Sequence, residues 1–285
     1  MSAPDPLVLP DAVDPGLPGA LLTVAHEVAE AAASLVREKR AGHVEVAATK
    51  SSDVDVVTEA DRATEELLRR LLRERRPDDA IMGEEGDDEP GTSGVRWVLD
   101  PIDGTVNFLY DLGRYSVSVA AEVLTDDGWL TVAGVVLDVA DDVEHAAVLT
   151  AEGPRGTSAG RPVAVRAPQP LGQMLVATGF SYDRDLRRLQ AQGWVHLLPR
   201  VRDIRRMGSC ALDLCSVASG RVDAYAEEGV NHWDYAAALL VARAGGARAE
   251  VLAGVGGRTF VLCAPPASFE ALHEAVTEAG LLAPA

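Results

Sequence analysis

Aromatic residues are scarce in this chain, at 5% of 285 positions. With 47% of residues apolar, Ala, Val and Leu must fill the core instead. Cysteine is sparse too. Cys210, Cys215 and Cys263 are too few and too widely spaced for a disulfide framework, which points to a reducing compartment. Cys210 and Cys215 lie five apart on an expected helix, on different faces, so no disulfide is expected between them. The six histidines show no zinc spacing. No apolar run reaches the ~18–20 residues of a membrane span, and no basic stretch followed by an apolar one opens the chain. The expectation is a cytoplasmic protein with no membrane contact. Cations are outnumbered, 26 Lys and Arg against 44 Asp and Glu, for a net charge of −18. Nucleic acid and anionic membranes are gripped through Lys and Arg, so this balance speaks against both as partners. It suits solubility and carboxylate-rich cation sites. The arginines at 184, 187, 188, 200, 202, 205 and 206 read as a solvated face with internal ion pairs rather than an RNA surface.

The length allows one large domain or two packed ones. Three parts are expected: a Pro-rich flexible tail over 1–18, an N-terminal α+β unit over 19–155, and a C-terminal α/β unit over 156–285. Apolar spacing predicts helices over 20–40 and 58–76, the second with Ala63, Leu67, Leu68, Leu71 and Leu72 on one face. Strands are expected over 80–82, 97–99, 115–124, 130–137 and 143–149. Residues 151–160 read as a polar, Gly-containing link. Beyond it strands (174–178, 201–206, 222–226, 248–252, 259–263) alternate with helices (183–198, 210–219, 234–244, 268–279). That alternation argues for the α/β class. Trp129 and Trp194 read as core or interface packing, and no internal repeat is present.

Three short acidic segments stand far apart: Gly83-Glu84-Glu85-Gly86, Asp100-Pro101-Ile102-Asp103-Gly104-Thr105 and Trp233-Asp234. Each puts a carboxylate where a strand ends or a helix begins, which is where open α/β sheets build their sites. Pro101 keeps the strand from regular pairing, and Gly104 permits a sharp turn and a close backbone approach. Asp100 and Asp103 can therefore converge. Like charges at close range do not both ionise cheaply, and a divalent cation resolves the conflict. Hard oxygen donors without His or Cys favour magnesium, with manganese second. Thr105 and the amides after it open a short helix, which suits an anion. Together these are the needs of phosphate-ester hydrolysis. Thr58-x-x-Asp61 fits a capping box.

The joint pattern resembles the inositol monophosphatase family of magnesium-dependent, lithium-sensitive phosphatases. The residues that carry it are Gly83-Glu84-Glu85, the run from Trp97 through Asp100-Pro101-Ile102-Asp103-Gly104-Thr105 to Phe108, and Trp233-Asp234. Lys50-Ser51-Ser52 with Asp55 to Asp61, the run from Arg206 to Cys215, and Asp223-Ala224-Tyr225 add to it. The resemblance runs from about residue 20 to the C-terminus. It departs at Cys210, where the family has a small Ala, at Asn231, at Tyr110 to Tyr115 and over 151–160.

The resemblance implies a layered αβαβα sugar-phosphatase fold and a homodimer. It implies that Glu84, Asp100 and the Ile102 carbonyl hold one magnesium ion, that Asp100, Asp103 and Asp234 hold a second, and that a third sits near Glu84. Manganese is the substitute. Asp61 and Thr105, with Glu84, would orient and activate the attacking water. Gly104 and Thr105 amides would bind phosphate. Asp103, Gly208, Ser209, Cys210, Glu227 and Asp234 would hold the polyol. The substrate class implied is a small-molecule phosphate monoester, with myo-inositol 1-phosphate first. Histidinol phosphate, fructose 1,6-bisphosphate and nucleotide phosphates are alternatives, as is a regulatory protein that binds a transcription or ribosomal partner. No extra basic loop for a second phosphate is visible in the sequence.

Overall fold

The computed structural model describes residues 7–42, 46–49 and 56–284. Lys50 to Asp55, part of the motif noted above, lie outside the described residues. Within the Pro-rich segment, residues 7–16 lie against the body of the protein: the Leu9 amide donates to the Thr150 carbonyl at 3.0 Å, and Leu9 is buried.

Helix α1 (Leu17–Ala41) has Pro18 in its first turn and Gly42 at its end. It buries a stripe at helical spacing: Leu21, Ala25, Val28, Ala29, Ala32, Ala33 and Val36. By length and composition alone this helix is apolar enough to cross a membrane. Glu27 and Glu30 interrupt its apolar run, and its apolar stripe faces the core. Strands β1 (Val46–Thr49) and β2 (Val56–Thr58) pair antiparallel.

Helix α2 (Glu59–Arg75) starts on the expected capping box, with the Thr58 amide donating to Asp61 Oδ2 at 2.8 Å. Its buried face is not the expected one. Asp61, Thr64, Glu65, Leu68, Arg69 and Leu72 are buried, while Ala63, Leu67 and Leu71 are half-buried. The helix is turned toward its polar side because Glu65 and Arg69 hold the acidic loop described below.

The first sheet contains β3 (Ala80–Gly83), β4 (Val95–Asp103), β5 (Ser116–Thr125), β6 (Gly128–Asp138), β7 (Val143–Thr150), β8 (Gly153–Ser158) and β9 (Arg161–Pro162), in that spatial order. Only the β3–β4 pair is parallel. The expected polar link over 151–160 is instead a hairpin strand, β8, paired along β7 from Thr150↔Gly153 to His145↔Ser158. Gly156 reads as a loop signal in sequence. In the structure a Cβ there would meet the Ala244 methyl at 2.8 Å, so the glycine serves close packing.

Helix α3 (Thr105–Tyr110) follows β4. The second sheet contains β10 (Leu175–Ala177), β11 (Asp203–Arg205), β12 (Ala224–Glu228), β13 (Arg248–Ala253) and β14 (Thr259–Ala264), ordered β11-β10-β12-β14-β13. The remaining helices are α4 (Arg184–Leu197), α5 (Cys210–Ala218), α6 (His232–Ala244) and α7 (Pro266–Glu278). Helices α1 and α2 cover one face of the first sheet, and α5 and α6 lie between the two sheets. Helices α4 and α7 cover the far face of the second sheet. The architecture is α/β, layered αβαβα.

The middle layer is made close by small residues. Ala211, Ala218, Ala236, Ala237, Ala238 and Ala242 are buried on α5 and α6. This is how a core poor in aromatics reaches native density. Trp194 is buried on Phe180, whereas Trp129 is partly exposed under the Arg96 guanidinium. On the arginine-rich face Arg188, Arg200 and Arg205 pair with Asp185, Glu278 and Asp203. The three cysteines are buried and free.

Candidate functional site

The end of β4, the end of β12 and the N-termini of α5 and α6 open onto one cleft of about 360 Å³. Eleven of the twelve site residues singled out in the sequence line it: Glu84, Asp100, Ile102, Asp103, Gly104, Thr105, Gly208, Ser209, Cys210, Glu227 and Asp234. Asp61 does not. It is fully buried behind Thr105, whose hydroxyl is 3.1 Å from both Asp61 Oδ1 and the Ile102 carbonyl. Sequence reasoning missed the wall formed by Gly179, Phe180, Ser181 and Tyr182 after β10, and Arg258 on the β13–β14 turn.

The end of β4 is shaped by a bulge. Asp100 pairs with Ser118 and Asp103 with Ser116, so three steps on β4 meet two on β5. Pro101 sits in the irregular stretch, as its missing N–H requires. The strand nonetheless runs on to Asp103, past its expected end at Asp100. Gly104 then turns at φ +97°, where a Cβ would come within 2.9 Å of the Arg114 carbonyl. This turn brings two carboxylates and the Thr105 hydroxyl to one rim.

Each carboxylate is held differently. Asp103 ties β4 to α5: its Oδ2 accepts from Ser209 Oγ at 2.6 Å and from the Ala211 amide at 2.7 Å, and its Oδ1 from the Cys210 amide at 3.3 Å. Burial pushes it up to about 6, against the pull of these bonds and of Arg114. Asp234 stands in the first turn of α6 and accepts from the Asn231 amide at 2.6 Å. Its carboxyl is raised well above the usual range by burial, then by Glu84 and Asp103. Asp100 is 1% exposed and is raised in the same way, by burial first and then by Glu84, Asp103 and Asp234.

Asp100 also shares a side-chain hydrogen bond with Glu84. Two carboxyl groups can do that only if one keeps its proton. Among the described residues no three His, Cys, Asp or Glu side chains stand as a ready-made ligand cluster. The four carboxylates share a cleft and repel one another rather than closing on a common point. Their chemistry fits a hard divalent cation, because such an ion balances the negative charge that these carboxylates would otherwise turn on one another. Asp103 and Asp234 keep unused lone pairs after the bonds above.

Glu84 itself rides on a loop that α2 holds from beneath. Glu65, 2% exposed, accepts the Glu85 amide at 2.8 Å and the Gly86 amide at 2.9 Å. Arg69 donates to Glu65 at 2.8 Å, to the Asp87 carbonyl at 3.1 Å and to Glu89 at 2.8 Å. In sequence this pair looks like an ordinary surface i, i+4 couple.

On the far side, Tyr225 Oη donates to Glu227 Oε2 at 3.0 Å. Burial still pushes Glu227 up to about 7. Cys210 lies beside them, and burial, then Asp103, holds its thiol well above its ordinary value. A thiol kept protonated is a poor nucleophile.

A raised carboxyl sets a sign for pH dependence. Glu227 ionises near 4.3 when unfolded and near 7 when folded, so its contribution to stability is whole below about pH 4 and is lost as pH rises through 7. Metal-free protein should therefore lose melting temperature between pH 5 and 8. Glu227→Gln should flatten that slope by a few °C. A variant curve parallel to the wild-type curve would refute this assignment.

The comparisons agree with the geometry. The profile of the inositol monophosphatase family matches residues 19–279. Inositol-1-monophosphatase SuhB of Mycobacterium tuberculosis strain H37Rv is 43% identical over 274 residues, which cover 90% of this chain and 93% of that protein. The Nus factor SuhB of Pasteurella multocida is 36% identical, covering 79% and 83%. Mycobacterium tuberculosis SuhB superposes with a TM-score of 0.77 at 42% identity, over 93% of this chain and 98% of that one. Extragenic suppressor protein suhB from Bartonella henselae superposes with a TM-score of 0.80 at 26% identity, over 91% and 99%. By sequence and fold alike, the chain belongs to the inositol monophosphatase family.

Proposed function

We propose that the protein hydrolyses a small polyol phosphate monoester, with myo-inositol 1-phosphate the first candidate, in a magnesium-dependent reaction. The observation that carries this reading is the shared, mutually raised carboxylate set of Glu84, Asp100, Asp103 and Asp234 in one cleft. Glu84, Asp100 and the Ile102 carbonyl would hold one ion, and Asp100, Asp103 and Asp234 another, with a third near Glu84 and manganese as a substitute. When bound, such ions supply Lewis-acid charge and lower the pKa of a bound water.

The chain's own residues divide the remaining work. Thr105 Oγ1 takes a proton from the attacking water as its own hydroxyl proton moves to the Asp61 carboxylate behind it, which accepts from that hydroxyl at 3.1 Å and does not itself line the cleft. Glu84 orients the same water. Gly104 and Thr105 amides face the phosphate. Asp103, Gly208, Ser209, Cys210, Glu227 and Asp234 hold the polyol, Glu227 by accepting from its hydroxyls. We further propose a cytoplasmic homodimer, on the strength of the family likeness.

Phosphate release should be measured on myo-inositol 1-phosphate, glycerol 2-phosphate and histidinol phosphate, with and without magnesium. Magnesium-dependent release led by the inositol ester is expected. No release from any ester by folded protein would sink the reading.

A second reading, a regulatory protein with a transcription partner, is favoured by the relative named Nus factor SuhB. Asp234→Asn separates the two. Its amide oxygen can still accept from Asn231, so the fold and any partner surface are kept while turnover falls by more than about a hundredfold. Asp103→Asn is less clean, because its amide nitrogen would face the donors of α5.

A further inference from the structure

We propose that His232 is a positioning residue. Tied to Glu122 on the first sheet, it sets the roll of α6 and so the place of Asp234 among the metal-binding carboxylates. This rests on the phosphatase reading above, in which Asp234 is a ligand.

Asp234 has to serve two sheets. The chain leaves the second sheet at Glu228, the end of β12, turns at Gly229 with φ +101° and starts α6 at His232. Its partners in the proposed site, Asp100 and Asp103, stand at the end of β4 in the first sheet. The bond from Asp234 to the Asn231 amide lies within the turn itself and moves with it. It fixes the carboxylate on the helix, not the helix on the sheet. The buried residues that follow, Ala236, Ala237 and Ala238, are short. Packing there sets the distance of α6 from the sheet more firmly than its roll.

His232 supplies the missing reference. Its Nε2 lies 2.8 Å from Glu122 Oε1. Residues 232 and 234 are about 200° apart round a helix. His232 therefore reaches back to β5 while Asp234 lines the cleft. The His232 ring meets Tyr235, one turn later, edge-on with centroids 5.3 Å apart.

Glu122 is a rigid anchor. It is 1% exposed and is held by both neighbouring strands. Arg96, its pair on β4, donates to Oε2 from Nε at 2.9 Å and from Nη2 at 2.5 Å. Thr131, its pair on β6, donates to Oε1 at 3.0 Å. Arg96 in turn lies over the Trp129 ring at 4.4 Å. Burial alone would raise this carboxyl, but His232 and Arg96 hold it below its ordinary value. An ionised carboxylate only accepts, so His232 Nε2 donates. Strand β4 carries Arg96 near one end and Asp100 and Asp103 toward the other. The tether thus refers α6 to the same strand whose carboxylates Asp234 must meet.

The test uses the full chain. Magnesium alone is titrated by calorimetry into wild type, His232→Ala and His232→Gln, and half-saturating magnesium is read from phosphate release. Gln is chosen because its amide nitrogen can take the place of the histidine Nε2 and donate to Glu122. An untethered turn samples places in which Asp234 cannot bind, and the apparent affinity falls by the fraction that can. His232→Ala should therefore raise the dissociation constant and half-saturating magnesium about tenfold, as when a metal ligand loses its support. Saturating magnesium should recover most of the turnover. His232→Gln should return both values toward wild type. Without metal, His232→Ala should melt within a few °C of wild type, since Glu122 keeps Arg96 and Thr131. Magnesium affinity unchanged in His232→Ala, whatever its melting temperature, would make the contact a structural clasp and overturn the proposal. Weak binding that His232→Gln does not mend, or a wild type that binds no magnesium, overturns it too. If wild type binds magnesium but hydrolyses no ester, the phosphatase reading falls. Tenfold weaker calorimetric binding in His232→Ala then still supports the tether, and equal binding overturns it.

Discussion

Asp100→Asn is expected to melt several degrees above the wild-type protein when both are metal-free, and to release phosphate more than about a hundredfold more slowly when both are given magnesium. The first half follows from burial. Asp100 is raised well above the carboxylate range because it is sealed from water and faces Glu84, Asp103 and Asp234. Its unfolded value is near 3.9, so at neutral pH folding must either take up a proton there or bury a charge. Both cost stability, and an amide removes the cost. The sign fixes the pH window. The cost is absent below the unfolded value and grows as pH rises, so the gain in Asn over Asp is larger at pH 8 than at pH 5.

The second half follows from the proposed ligand set. Magnesium that binds the folded chain stabilises it by mass action. Wild type should therefore gain melting temperature with added magnesium, and Asp100→Asn should gain far less. A variant less stable than wild type without metal would refute the burial argument, and one equally responsive to magnesium would remove Asp100 from the ligand set.

The acidic site was legible in the sequence because its carboxylates sit among residues of strong local meaning. Pro101 and Gly104 mark the bulge and turn, and Thr58 with Asp61 marks a helix start. What stayed hidden needs the third dimension. Gly156 looks like a loop residue until α6 is packed against it. Glu65 and Arg69 look like a surface couple until the loop after β3 closes over them. Arg258 belongs to a turn between two strands, and only the order of the second sheet puts it across the cleft from Arg206. The buried face of α2 was misread for a related cause. Hydrophobic spacing finds where apolar side chains go, and here a buried ion pair turned the helix away from them.

That ion pair predicts the second large effect. Glu65→Ala strips the buried Arg69 of its buried carboxylate, leaving it only Glu89 and the Asp87 carbonyl, and removes the acceptor for the Glu85 and Gly86 amides. Breaking one side of a buried pair costs about 3–5 kcal/mol, or on the order of 10 °C in melting temperature. Loss of activity in this variant would not by itself separate a slack loop from a weak fold. The double variant Glu65→Leu with Arg69→Met does. An apolar pair of similar volume can replace a buried ion pair at little cost, so the double variant should melt near wild type. The loop that carries Glu84 would still lack its anchor. Half-saturating magnesium should then rise about tenfold with turnover still depressed, as expected when the support of a metal ligand is lost. Stability and magnesium response both restored in the double variant would mean that Glu65 serves the fold alone. Stability restored with a weakened magnesium response makes Glu65 a positioning residue, acting on the reaction through the Glu84 loop without touching the substrate.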